Sequence, residues 1–220
     1  MKISTQRILK DSATHMNNTI IFVFVGRAMK FGIDTTEFQK TLNNIGYEKI
    51  VFFRDITKSW YNNGDSYESI QKNITKVLEN NFSDNVIFMG SSMGGFGSIL
   101  FSSIYDRCNS VIAFSPQIQI DPKLVRGWDD RYTKDLKHVE KFLYPRVDHL
   151  IKDTIDYQIV IGDQKEDKEQ AKLISHHPNV KLTKVHGADH NVPKTLKVRG
   201  ILDTFLKERI DESIRNRNRW

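Results

Sequence analysis

Gly90-x-Ser92-x-Gly94 is the stretch whose residue types and spacing could do chemistry. It follows the apolar run 86–89 and precedes a helical pattern through Ile99, Leu100 and Ile104. A strand, a sharp turn and a helix are what a nucleophile elbow requires. The serine there sits in a strained backbone conformation, so the residues two before and two after it must be small. A serine hydroxyl is a weak nucleophile until a base takes its proton and an acid orients the base. On such an elbow the order along the chain is serine, acid, histidine. The chain has that order: Ser92, then Asp163 and Asp167 after a later strand, then His190 after the last one.

Seven histidines compete for the role of base. His190 lies between a terminal strand and a closing helix, where the base of this architecture belongs. His186 sits at the strand end, with its side chain expected to be committed to the sheet. His176 and His177, beside Pro178, read as partners of a helix C-terminus. The acid stays open on position alone. Asp163 directly follows a strand and otherwise reads as a solvated loop acid. Asp167 starts the next helix and otherwise reads as a cap paired with Gln170. Developing negative charge needs two N–H donors. The Met93 amide, just after the serine, is one, and the amide of Arg27 or Ala28, after the first central strand, is the other. The Arg27 side chain suits a carboxylate or phosphate, or is a plain surface arginine.

The elements that must position these groups are legible as alternating strands and helices. Residues 19–25 form a continuous β-branched apolar run, as in a strand buried on both faces. Further strands are expected at 49–54, 85–90, 110–114, 157–161 and 180–185, with a weak edge strand at 6–10. Helices are expected from about Asp34, from Ser66, after Ser92, through Leu136, Val139 and Phe142, from Asp167, and over 192–210. The alternation implies an α/β fold. Its mostly parallel sheet would have about six to seven strands and helices on both faces. Ligands bind such sheets at the carboxyl ends of the strands, which is where the chemistry-bearing loops fall.

At 220 residues, with 39% hydrophobic and 27% charged residues, the chain suits one soluble globular domain, 1–220, with a lead-in over 1–18. Its longest apolar stretch, 20–25, is too short to span a bilayer, and no signal-peptide pattern opens the chain. One cysteine, Cys108, excludes an internal disulfide and fits a reducing compartment, so a cytoplasmic location is expected. The net charge of +6 would allow an acidic partner. Arg215, Arg217 and Arg219 contribute to it in a basic tail, 211–220, read as solvated and partly frayed. Nucleic acid is not expected as a partner. The histidines lack metal-ligand spacing, and the glycines lack a Gly-Lys-Ser/Thr ending. No metal or cofactor is therefore expected. Nothing in the sequence speaks to oligomeric state.

Several segments together carry a family resemblance. They are Phe53-Arg54-Asp55 with Trp60-Tyr61, the Gly90-Ser91-Ser92-Met93-Gly94-Gly95 elbow, Ala113-Phe114-Ser115-Pro116-Gln117, Trp128-Asp129-Asp130-Arg131-Tyr132 and 187–190. On these the chain resembles a small α/β-hydrolase with a minimal lid. It is similar to a bacterial group often associated with polysaccharide loci. The resemblance covers nearly all of 19–205 and implies a serine esterase. It favours Asp167, ahead of Ala171, as the acid, with Asp163 in reserve. It also points to Trp60, Tyr61, Gln117 and Arg131 as substrate contacts. On physical grounds Trp60 and Tyr61 could wall a sugar site, and Asp55 with Arg131 or Arg54 with Asp130 could pair; structural braces are the competing reading. The implied substrate is a small-molecule or glycan acyl ester. Thioesterase, acyltransferase and non-catalytic glycan- or partner-binding roles are the alternatives.

Overall fold

The computed structural model describes residues 6–8, 18–27 and 38–217. Seven strands form one sheet in the order β1-β3-β2-β4-β5-β6-β7. They are β1 Gln6–Ile8, β2 Thr19–Phe24, β3 Ile50–Phe53, β4 Asn85–Ser91, β5 Ser110–Phe114, β6 Asp156–Ile161 and β7 Val180–Lys184. Strands β2 to β7 pair in parallel, and β1 pairs antiparallel with β3 at one edge. The helices are α1 Gln39–Asn44, α2 Gly64–Asn80, α3 Met93–Ser102, α4 Pro122–Val125, α5 Thr133–Leu136, α6 Lys165–Lys172, α7 Val192–Val198 and α8 Leu202–Arg217. Among the described residues no helix is long and apolar enough to cross a membrane.

Strand pleating divides the core in two. Ile20, Phe22 and Phe24 face a cluster closed by Ile70 and Ile74 of α2 and by Phe96, Leu100 and Phe101 of α3. Ile21 and Val23 face the other side, where Leu42, Leu196, Leu206 and Ile210 close over them. Because both faces are covered, β2 reads as an unbroken apolar run rather than an alternating one. Every residue of α3 is buried, so this helix is apolar all round instead of amphipathic.

Several elements end differently from the sequence expectation. The closing helix over 192–210 is two helices, α7 and α8, with a break at Gly200, whose φ of 71° is left-handed. The helix expected through Phe142 stops with α5 at Leu136. Beyond it the chain turns back: Ile120 donates to the Pro145 carbonyl and Tyr144 N–H to Asn62 Oδ1, so Val139 and Phe142 reach the core from irregular backbone. The tail does not fray at 211. Helix α8 continues to Arg217, and buried Ser213 bonds Ser110 at 2.7 Å. The expected start of α1 near Asp34 and the end of the edge strand at 9–10 lie outside the described residues.

Helix α3 leaves β4 so closely that two glycines are sterically required. A Cβ on Gly94 would stand 1.9 Å from the Phe24 carbonyl oxygen, and one on Gly90 would stand 2.4 Å from the Gly94 carbonyl. Gly94→Ala is expected to cost about 4 kcal/mol or more, because only backbone could give way. A Cβ on Gly64, at the start of α2, would have nothing within 4 Å. Gly64→Ala should be neutral or stabilise by up to about 0.5 kcal/mol. Urea denaturation midpoints of the two variants check both signs.

Candidate active site

Ser92 follows the last residue of central β4 and caps α3 with φ 56° and ψ −119°. A serine in this region is strained, and surrounding structure must hold it there. The hold is visible: Ser92 N–H donates to the Phe114 carbonyl at 2.8 Å, and the Ser92 carbonyl accepts from Phe96 N–H at 3.1 Å. The turn projects Oγ beyond the carboxyl edge of the sheet. It also leaves the Met93 amide in the first turn of α3, where N–H groups have no carbonyl a turn earlier to bond.

Three loops converge on Oγ. His190, on the loop between β7 and α7, places Nε2 2.8 Å from Ser92 Oγ. Its Nδ1 lies 2.8 and 3.0 Å from the two Asp167 oxygens. A carboxylate facing Nδ1 requires the proton there, which leaves the Nε2 lone pair for a hydroxyl. Asp167 comes from the first turn of α6 and is 1% exposed. Burial works to raise its carboxyl. Hydrogen bonds and charge from His190 first, and then from Arg131, outweigh burial and hold it below the usual carboxylate range.

Asp163 is elsewhere. It pairs with Lys184 at 2.8 Å and accepts from Gly187 N–H at 2.6 Å. Those two bonds, the Lys184 one foremost, hold its pKa at about 2. It latches the loop that carries His190 and does not touch the ring. The cap pairing of Asp167 with Gln170 is also absent: Gln164 caps α6, and the Gln170 amide accepts from Ile118 and Gln119 N–H and donates to Asp129. His186 is exposed on the loop rather than committed to the sheet, and its carbonyl accepts from Arg199.

The four residues expected to contact substrate take different places. Trp60 and Tyr61 are 0% exposed, so neither presents a ring to a sugar. Both stand at positive φ in a loop folded around Asp55. The Asp55 carboxylate accepts from the amides of Thr57, Ser59 and Tyr61 and from the Thr57 and Ser59 hydroxyls, so it is not a partner for Arg131. Tyr61 donates to the Val25 carbonyl at 2.9 Å and lies 3.1 Å from that of Phe53. Trp60 N–H donates to Gln117 Oε1 at 2.9 Å. An indole nitrogen only donates, so Oε1 is fixed as the acceptor, and Nε2 of Gln117 lies 3.3 Å from Ser92 Oγ. Of the four, Gln117 is therefore the side chain that touches the serine.

Arg131 is 17% exposed and committed inward. It grips Asp129 through Nε and Nη2 at 2.7 and 2.8 Å and Asp167 Oδ1 through Nη1 at 2.7 Å. Asp130 instead accepts from Gly127 N–H. Arg27 pairs with Asp135 at 2.6 Å, its guanidinium 5.3 Å from the Tyr132 ring centre. Ala28 lies outside the described residues.

Sequence reasoning gave no role in the site to Tyr132 or Asp129, and Gln170 only a place in a helix cap. The Tyr132 hydroxyl lies 2.9 Å from His190 Nε2. Burial pushes its phenol up, so it is a neutral donor at neutral pH. One Nε2 lone pair cannot accept from two hydroxyls at once. The serine and the phenol therefore compete for that nitrogen. Tyr132 shows no periodic signal; the only cue was its place in the Trp128–Tyr132 segment. Among the described residues no group of three or more His, Cys, Asp or Glu side chains could hold a metal ion.

No protein-family model and no curated protein sequence matches the chain. Solved structures do. An esterase from Pyrococcus furiosus is 16% identical with TM-score 0.62, over 98% of this chain and 91% of its own. A capsule O-acetyltransferase of Neisseria meningitidis serogroup A is 14% identical with TM-score 0.63, over 95% and 90%. An α/β-hydrolase from a Mar Chica lagoon-sediment metagenome is 14% identical with TM-score 0.61, over 95% and 96%. At such identities the likeness carries the architecture, and with the parallel sheet and the turn at Ser92 it identifies the α/β-hydrolase fold.

Proposed function

We propose that this protein is a serine hydrolase that cleaves a carboxylic ester through an acyl-enzyme on Ser92. The observation that carries the reading is the chain of contacts Ser92 Oγ–His190 Nε2–Asp167, at 2.8 Å and 2.8 Å, at the carboxyl edge of the sheet. An esterase shares the fold, and the capsule O-acetyltransferase does as well, so acyl chemistry is supported from both sides.

In the first step Ser92 Oγ attacks the ester carbonyl while His190 Nε2 takes its proton. Asp167 holds the Nδ1–H and stabilises the imidazolium that forms. The carbonyl oxygen becomes an oxyanion beside the Met93 amide, with Gln117 Nε2 and the loop at Arg27 as further donors. Collapse breaks the ester C–O bond, and Nε2–H gives its proton to the departing alkoxide. Water, activated by the same nitrogen, then attacks the acyl-enzyme and releases the acid and free Ser92. Small acyl groups on a sugar or a simple alcohol are the proposed substrates.

Transfer of the acyl group to a sugar hydroxyl is the second reading. It is favoured by the O-acetyltransferase likeness and differs only in the oxygen that attacks the acyl-enzyme. Mass analysis of products formed from an acetyl ester, with and without an added sugar, separates the two. Acetylated sugar means transfer, and acetate alone means hydrolysis.

A fluorophosphonate probe should label the wild-type protein and leave Ser92→Ala unlabelled; equal labelling of both would sink the proposal. Asp167→Asn should lower kcat roughly 10³- to 10⁴-fold on p-nitrophenyl acetate. Asp163→Asn should stay within about threefold of wild type, because its carboxylate serves Lys184 and Gly187 rather than the imidazole. The reverse ranking would transfer the role of acid to Asp163.

A further inference from the structure

We propose that Asp129 and Arg131 form a counter-charge pair that sets how strongly Asp167 stabilises protonated His190, and so places the working pH range of the site. Both act through Asp167 and are positioning residues. The inference rests on the reading of Ser92, His190 and Asp167 as the catalytic set.

One oxygen carries the argument. Asp167 Oδ1 accepts from Arg131 Nη1 at 2.7 Å and from His190 Nδ1 at 2.8 Å, and the two nitrogens are 3.3 Å apart. A fixed cation therefore stands beside the imidazole and shares its carboxylate. Left alone, it would oppose the imidazolium that catalysis must form, both directly and by drawing charge from Asp167. Asp129 balances it through two parallel bonds at 2.7 and 2.8 Å. This fork–fork pairing fixes the guanidinium plane and leaves Nη1 for Asp167. The direction of the Arg131 charge agrees: burial works against it, but the bonds to Asp129 and then Asp167 outweigh burial and raise its pKa.

Asp129 is itself built in. It is 4% exposed and accepts from Gln170 Nε2 at 2.8 Å. The other end of that amide accepts from the Ile118 and Gln119 N–H groups at 2.8 and 3.0 Å. The line from the β5–β6 segment to the imidazole is thus Gln170, Asp129, Arg131, Asp167, His190. Its three permanent charges alternate minus, plus, minus. The net charge facing His190 is that of a lone aspartate, but it is set by a balance that single substitutions tip in opposite directions.

The remaining groups facing the ring leave the sign intact. Ser92 is neutral, and Tyr132 is held as a neutral phenol by its burial. Arg27, behind the Tyr132 ring, is paired with Asp135. Asp189 precedes His190 on the exposed loop, with its carboxylate accepting from Asn191 N–H. None of these changes charge in the variants below.

The test is a proton and carbon NMR titration of the His190 ring, assigned by its loss in His190→Gln. Arg131→Gln leaves two carboxylates and should move the titration midpoint up by about one pH unit. Asp129→Asn leaves Arg131 uncompensated and should move it down by about the same amount. The double variant should return close to the wild-type midpoint. The acid limb of the fluorophosphonate labelling rate should shift in the same order. Midpoints that stay put, or that both move the same way in variants with wild-type circular dichroism, overturn the proposal. If Arg131→Gln does not fold, the near-isosteric Asp129→Asn decides alone: a fall supports the pair, and no change or a rise overturns it. The titration is read without chemistry. Absence of labelling in the wild type at every pH would therefore count against the serine reading, and unmoved midpoints against the pair.

Discussion

The backbone at Ser92 is the constraint on which the rest of the structure depends. A serine at φ 56° is unfavourable in isolation, and it persists because strand and helix leave no alternative. Gly94 approaches the Phe24 carbonyl so closely that no side chain fits between them. That approach packs α3 across β2 and β4, and α3 has no wet face along which to slide. The amide of Ser92 is tied to Phe114, so β5 takes part in the same hold. Strain at one residue is thus distributed over three strands and a helix. Pre-organisation of this kind places a nucleophile without reorganisation at the moment of reaction.

Around that fixed point the site is assembled from parts with very different sequence signatures. The central strands were legible because burial on both faces writes them as unbroken apolar runs, as at residues 20–24. The elbow was legible because its glycines are sterically obligatory. His190 was legible from chain order. What joins the histidine to its surroundings was not. Asp129, Arg131 and Tyr132 lie in a segment of short helices and turns, and they reach partners 36 to 59 residues away. Contacts at such separations leave no period in the sequence, and Asp129 is not distinguishable there from its neighbour Asp130.

The aromatic pair shows the opposite difficulty. Trp60 and Tyr61 in a polar loop read as a wall for substrate, because aromatic rings among polar residues commonly mark binding surfaces. Burial of such a loop demands partners for its amides, and the Asp55 carboxylate supplies one for three of them within six residues. Once the loop folds inward, both rings become core, and the Trp60 N–H turns the Gln117 amide toward the serine. Burial separates Asp163 from Asp167 in a similar way, and only Asp167 reaches the imidazole. A carboxylate that must hold an imidazole in one orientation works best out of water, and Asp167 is buried while Asp163 is solvated.

The clip that Tyr61 makes between Val25 and Phe53 gives the mouth of the site an uneven stiffness. Its hydroxyl spans the ends of β2 and β3, and the Asp55 carboxylate shapes the loop behind it through bonds to Thr57, Ser59 and Tyr61. That side behaves as a fixed jaw. The facing side is built from residues 118–150, where four-residue helices and single turns replace long regular elements. Short elements of this kind open and repack at lower cost than a sheet edge. On the proposed reading, differences in the size of the acyl group or alcohol would be absorbed on that side, while the fixed jaw keeps the serine and its donors in register.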